Sequence, residues 1–236
     1  MKAIIPCAGF GTRFSGVPKS LLNIDNGTVI LDEILNKINF DTYLITNALS
    51  DHLFQEKYAH KDNISISCNG MFYNIQACGC LDNIQRLIEK ESIDEDIMII
   101  VGDILFDFSI DQILKQFNKT KTITIPIKKH PTQLIKSQTL RSGGLTLKDT
   151  NVIDTFIEHE VYEQAEYIEL GIYLIAKEYL YTIHECINHY RHDAPGYLIE
   201  YMHKLIPIYG AEITGNWEHI VTYNDYLSYL HRKEKY

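Results

Sequence analysis

The chain has 236 residues, 45% of them hydrophobic and 11% aromatic, enough to bury a sizeable core and to exclude a disordered protein. Its 31 acidic and 22 basic residues leave a net charge of −9, which argues against broad binding to nucleic acid or an anionic membrane but leaves room for a local basic pocket. No apolar run approaches the roughly 18 residues of a membrane helix, the first seven residues do not read as a signal peptide, and five cysteines without a CxxC pair read as buried thiols of a reducing cytoplasm.

Strand-like and helix-like segments alternate through the first half. Ala3–Cys7, Thr42–Thr46, Ile64–Cys68 and Asp96–Val101 are short, β-branched and apolar, and they predict strands. Between them, Val29–Ile38 carries Ile30, Ile34, Leu35 and Ile38 at steps of three and four, and Ile75–Lys90 repeats the pattern with Leu81, Ile84, Leu87 and Ile88. A further helix is expected at Ile110–Phe117. Strands apolar on both faces and separated by helices describe a parallel sheet covered on both sides.

The second half changes character. Lys121–Ile127, Leu140–Leu147, Val152–Ile157 and Tyr167–Ile175 predict strands, followed by helices at Lys177–His189, Tyr197–Leu205 and Asn224–His231. With no internal repeat and no Pro/Ser-rich linker, the reading is one α/β domain over residues 1–236 whose latter part adds a mixed-sheet lobe.

The densest chemical signal follows the first strand, in Pro6-Cys7-Ala8-Gly9-Phe10-Gly11-Thr12-Arg13-Phe14-Ser15-Gly16-Val17-Pro18-Lys19. Glycines let backbone N–H groups approach an anion closely, Arg13 adds a planar fork for phosphate oxygens, and Lys19 adds a mobile point charge. Such a loop suits a triphosphate. Val17-Pro18 displaces the lysine from its Walker A place, and Phe14 stands where a dinucleotide fingerprint needs its third glycine. At the end of the fourth strand, Gly102-Asp103 places a carboxylate where parallel sheets hold ligands, and a hard cation such as Mg²⁺ takes one or two carboxylates together with substrate phosphates.

AGFGTR followed by PK, with VGDILFD further on, closely resembles the signature of the nucleotidyltransferase superfamily that includes sugar-1-phosphate nucleotidyltransferases and phosphocholine cytidylyltransferases. The resemblance implies a Rossmann-like three-layer α/β/α fold with a mostly parallel mixed sheet and an added acceptor-binding lobe. Residues 1–120 would bind the NTP and 121–236 the acceptor. It further implies that Ala8, Gly9, Gly11 and Thr12 hold the nucleotide phosphates, that Arg13 and Lys19 neutralise charge at the reacting phosphate, and that Asp103 holds Mg²⁺, or Mn²⁺. Asn74–Asn83 resembles the family's helix start under the base, with Gln76 reading a base edge and Gly79 permitting close approach.

Phe156-Ile157-Glu158-His159 and Ile168-Glu169-Leu170-Gly171-Ile172-Tyr173 are similar to the family's acceptor-binding segments, which assigns Glu158, His159, Glu169 and Gly171 to the acceptor. His159 stands where a lysine is expected. Trp217–Tyr226 resembles the terminal segment that supplies a second metal ligand. That ligand falls on His219, with Glu218 as the alternative. The expected activity is transfer of NMP from an NTP to a phosphorylated acceptor, a sugar 1-phosphate, as in NDP-sugar and polysaccharide biosynthesis. Two rival readings stand beside it: CTP-dependent transfer to a non-sugar phosphate such as phosphocholine, and a nucleotide-binding regulatory protein without turnover. The expected setting is cytoplasmic, with no nucleic-acid or membrane partner and with homo-oligomerisation left open.

Overall fold

The computed structural model describes residues 1–73, 78–129 and 141–233. In chain order its first strands are β1 (Lys2–Pro6), β2 (Asn23–Asp25), β3 (Thr28–Val29), β4 (Thr42–Thr46), β5 (Ile64–Cys68), β6 (Ile97–Ile100) and β7 (Ile104–Phe106). The second half adds β8 (Ile123–Lys129), β9 (Gly144–Lys148), β10 (Val152–Ile157), β11 (Tyr167–Glu169), β12 (Ile172–Ile175), β13 (Ile208–Glu212) and β14 (Trp217–His219). The helices are α1 (Ile30–Leu35), α2 (Asp51–Tyr58), α3 (Cys80–Glu91), α4 (Asp111–Thr120), α5 (Tyr181–His189), α6 (Gly196–Met202) and α7 (Tyr223–Lys233).

Alternation along the strands decides the layering. Ala3 and Ile5 of β1, with Met98 and Ile100 of β6, enter one core cluster with α1, α2 and α4 through Ile34, Phe54, Tyr58, Ile113 and Phe117. Ile4, Ile97 and Ile99 enter the other, against α3, α5 and α6 through Ile84, Leu87, Ile183, Leu198 and Met202. Successive side chains of a strand point to opposite faces, so an all-apolar strand must be covered twice. This is the expected three-layer α/β/α arrangement.

Ten strands form one sheet in the order β11-β9-β10-β13-β8-β12-β6-β1-β4-β5. Parallel pairing joins β6-β1-β4-β5 and β13-β8, and β12 runs antiparallel to both β6 and β8. The parallel part is therefore concentrated in the first half, where each strand returns through a helix. Antiparallel pairs β9–β10 and β11–β9 make up the lobe of the second half. Among the described residues no helix is long and apolar enough to cross a membrane.

Three differences from the sequence reading have local causes. The expected strand Tyr167–Ile175 is two strands, because Gly171 adopts φ +75° and its carbonyl accepts from Val101 N at 2.9 Å. β13 was not anticipated: its five residues carry Gly210 at their centre, which weakens the strand pattern, and the strand is set by lying parallel beside β8. Of the five thiols, Cys7 and Cys186 are buried as expected, but Cys68 is exposed at the end of the edge strand β5.

Candidate active site

Because β1, β4 and β6 run parallel, their carboxyl ends share one edge of the sheet, and the antiparallel β12 begins at that same edge. The glycine loop leaves β1 there. Gly11 sits at φ +60° and its carbonyl accepts from Phe14 N at 2.7 Å and Gly16 N at 3.0 Å, which closes a tight turn around the short 3-10 segment Thr12–Phe14. A Cβ at residue 11 would collide with the Val17 carbonyl, so only glycine fits. Asn47, just past β4 and buried, donates to the Ala8 carbonyl at 3.0 Å and accepts from Ser50 N at 2.9 Å, bracing the loop from below.

Asp103 follows β6 by three residues. Its Oδ2 pairs with Lys19 Nζ, and its Oδ1 lies 3.3 Å from His219 Nε2. Burial alone would push the Asp103 carboxyl upward, but the neighbouring His219 and Lys19 outweigh it and hold the group well below the usual carboxylate range. A separate two-stranded ribbon delivers the histidine: β14 pairs antiparallel with β7, His219 opposite Ile104, and Ile220 N donates to the Asp103 carbonyl at 2.9 Å. Asp107 clamps the ribbon's open end, accepting from Asn216 N at 2.6 Å and Asn216 Nδ2 at 2.7 Å. Alternation along β14 sends Glu218 the other way, where it pairs with Arg232 of α7; it does not reach the cavity.

A cavity of about 530 Å³ opens at this edge. Gly9, Gly11, Arg13, Lys19 and Asp103 line it from the first half of the chain, and Arg141, Ser142, Glu158, His159, Glu169, Gly171, Tyr173, Trp217 and His219 from the second. Glu169 is 4% exposed and pinned by Gly171 N at 2.5 Å, Tyr173 Oη at 3.1 Å and Gly143 N at 3.4 Å. Burial raises its proton affinity, against the pull of those donors. Glu158 is 3% exposed and lies further up, because burial acts together with the charges of Glu169 and Glu200. His159 Nε2 lies 3.2 Å from Glu158 Oε1. Buried polar atoms without a hydrogen-bond partner among the described residues include Ser142 Oγ, Glu158 Oε2 and His219 Nδ1, and all three belong to this cavity wall. Such groups are costly unless something polar meets them.

Of the residues expected from the sequence, ten meet on one wall: Gly9, Gly11, Arg13, Lys19, Asp103, Glu158, His159, Glu169, Gly171 and His219. Ala8 and Thr12 belong to the loop without lining the cavity; the first packs against the core and the second is exposed. Gly79 opens α3 beside His192, whose carbonyl accepts from Leu81 N at 3.0 Å, and it lies outside the cavity. Gln76 lies outside the described residues. Sequence reasoning missed Asn47, Arg141 and Ser142, and it quoted Tyr173 and Trp217 within their segments without giving either a role of its own. A polar residue directly after an apolar strand marks Asn47, and Trp217 is the chain's single tryptophan, held by its Nε1 donating to the Leu170 carbonyl at 2.9 Å.

Among the described residues no three His, Cys, Asp or Glu side chains gather as a metal cluster. Asp103 and His219 form a pair. One carboxylate beside a phosphate loop fits a hard cation that shares its ligands with phosphate oxygens, whereas imidazole is a poor partner for such an ion.

A glycine loop, a lysine–aspartate pair at the strand ends and a cavity lined by charged residues, carried on a three-layer sheet, define an α/β protein with a cleft at the carboxyl ends of its parallel strands. The chain belongs to the nucleotidyl transferase family, whose sequence profile matches residues 2–234. It is 28% identical over 232 residues to the bifunctional protein GlmU of Methanococcus maripaludis strain C7, covering 93% of this chain and 51% of that protein, so it spans about half of that relative's length. It is 24% identical over 219 residues to the UTP–glucose-1-phosphate uridylyltransferase of Streptococcus pyogenes, covering 75% of this chain and 69% of the relative. Two solved structures share the fold. A UDP-glucose pyrophosphorylase complexed with UDP-glucose has a TM-score of 0.74 at 16% identity, covering 99% of this chain and 98% of the other. A UTP-bound UGPase from Acinetobacter baumannii has a TM-score of 0.72 at 12% identity, covering 98% and 92%. The family resemblance read from the glycine loop and the GD turn is thereby established.

Proposed function

We propose that the protein transfers NMP from an NTP to a sugar 1-phosphate, releasing pyrophosphate and leaving an NDP-sugar. One observation carries this reading: the Gly9–Arg13 loop, the Lys19–Asp103 pair and the buried Glu158 and Glu169 all face a single cavity. The relatives named as acting on glucose 1-phosphate support the sugar acceptor. Residues 1–120 take the nucleotide and 121–236 the acceptor.

The acceptor's phosphate oxygen attacks the α-phosphorus in line, the bond to the β-phosphate oxygen breaks, and pyrophosphate carries the electron pair away. A phosphate dianion is already nucleophilic, so no protein base or covalent nucleophile is needed; catalysis is positioning and charge neutralisation. The loop's backbone N–H groups seat the phosphates, Arg13 meets growing charge at the α-phosphate, and Lys19 is held at the loop's mouth by Asp103. Mg²⁺ or Mn²⁺, when bound by Asp103, would supply further charge neutralisation on the phosphate oxygens. His219 orients the carboxylate that holds it.

A second reading is favoured by the acidic residues Glu158, Glu169 and Asp193 on the same wall: an acceptor phosphate that carries a quaternary ammonium cation, such as phosphocholine. A matrix of four NTPs against glucose 1-phosphate, glucosamine 1-phosphate and phosphocholine, read by pyrophosphate release, separates the two. Turnover in the sugar columns supports the first reading. Turnover confined to phosphocholine replaces it, and no turnover anywhere with retained NTP binding supports a regulatory protein.

A further inference from the structure

The proposed reaction requires two phosphate-bearing ligands in one cavity. Among the described residues the permanently charged cations on its wall are Arg13, Lys19 and Arg141. Arg13 belongs to the nucleotide loop and Lys19 is paired with Asp103. His159 turns its Nε2 toward Glu158 Oε1. Arg141 is the cation contributed by the second half of the chain, and nothing in the sequence motifs singled it out.

Its surroundings are built. Asp225, at the start of α7, accepts from Arg141 Nη1 at 2.7 Å through Oδ1, and from Thr222 N at 2.7 Å and Thr222 Oγ1 at 2.8 Å through Oδ2. That carboxylate is oriented by three donors, and it engages one of the five guanidinium donors. The next residue, Ser142, is 1% exposed with an unpartnered Oγ on the cavity wall. Gly143 then exchanges backbone contacts with Glu169, its N donating to Oε1 at 3.4 Å and its carbonyl accepting from Glu169 N at 2.9 Å, which fixes the turn against β11. A guanidinium and a buried, unpartnered hydroxyl on one cavity wall offer the charged and neutral donors that the several oxygens of a phosphate accept from.

We infer that the Arg141–Ser142 turn binds the phosphate of the acceptor, with Asp225 as the positioning residue that aims the guanidinium. This rests on the proposed transfer reaction and assigns its acceptor-phosphate subsite. Arg141→Met removes the charge while keeping most of the stem. It should raise the acceptor KM and the Kd for glucose 1-phosphate roughly 10- to 100-fold, the scale of a lost charge-assisted hydrogen bond, with the NTP KM within about twofold of the parent. Arg141→Lys should recover part of the loss. Asp225→Asn keeps the guanidinium but loosens its brace, and should give an intermediate rise in acceptor KM with little change in the NTP KM.

Calorimetric binding of glucose 1-phosphate and of inorganic phosphate, without any NTP, provides a readout independent of turnover. An unchanged acceptor KM and Kd in Arg141→Met overturns the subsite, as does an NTP KM that rises in step. A parent protein that binds neither probe overturns it too. Pyrophosphate release that survives Arg141→Met unaltered leaves the transfer reaction standing without this subsite. Arg141-dependent phosphate binding without turnover does the reverse. Should Arg141→Met fail to fold, the lysine and Asp225→Asn variants carry the same comparison.

Discussion

His219 Nε2 lies 3.3 Å from Asp103 Oδ1, although 116 residues separate them: Asp103 immediately precedes β7, His219 ends the β14 strand paired with it, and Lys19 completes the group from the loop side. Asp103 is therefore ionised and doubly held. A carboxyl whose folded pKa is depressed adds stability that is present above its unfolded value, near 3.9, and is lost as pH falls through the lower folded value. Asp103→Asn should cost about 1–3 kcal/mol at pH 7 and should lack that acid limb in melts taken from pH 2 to 7. Pyrophosphate release should fall at least about a hundredfold, the scale of a lost charged contact in the transition state. Near-normal cation-dependent turnover in this variant would remove Asp103 from the site.

Gly11 tests the loop itself. Alanine there must hold φ +60° and place its Cβ against the Val17 carbonyl, so the turn has to open. The conformational cost alone is about 1–2 kcal/mol. NTP titration should show binding weakened by more than tenfold, while far-UV circular dichroism stays that of the parent. Parent-like affinity in Gly11→Ala would show that the loop's backbone does not seat the phosphates.

Arg13 is exposed, so its truncation leaves the core intact. Because it meets charge that grows during transfer, Arg13→Ala should lower kcat by about a hundredfold, some 3 kcal/mol, and change the NTP KM much less. Steady-state kinetics with the preferred NTP decides it. Equal kcat in variant and parent would refute the assignment.

Glu158 is buried, and burial together with the charge of Glu169 raises its proton affinity well above the ordinary value. A folded state that binds a proton more tightly than the unfolded chain loses stability as pH rises from about 4.5 through the raised value. Glu158→Gln should therefore melt higher than the parent at pH 7 and show a flatter decline with pH. The gain is on the order of 1 kcal/mol, or about 2–4 °C for a chain of this size. The same variant should bind the acceptor more weakly. A lower melting temperature at pH 7 than at pH 5 in both proteins, by equal amounts, would show that Glu158 is not the group responsible.

Elements with strong periodicity were legible in the chain. Thr42–Thr46, Ile64–Cys68 and Val152–Ile157 are strands over the bounds that alternation and apolar content predict, because β-branched residues favour extended backbone and the buried Leu44, Ile45, Ile64, Ile153 and Phe156 anchor each run in the core. α2 was not legible: Asp51–Tyr58 is mostly polar and anchors itself through Phe54 and Tyr58 alone, one turn apart. The ribbon β7–β14 was equally silent, since each strand is three residues long and finds its partner only across the fold.

The candidate site divides the same way. Residue chemistry and order along the chain were enough to bring out Gly9, Gly11, Arg13, Lys19 and Asp103, because a phosphate loop is local and a strand end predicts which edge a carboxylate faces. Tertiary structure alone decided that His219 reaches Asp103 while Glu218 turns to Arg232, that Gly79 faces His192 away from the cavity, and that Arg141 and Ser142 stand on its wall. Those outcomes depend on which elements pack together and on the parity of a strand, and both are set by contacts far apart in sequence.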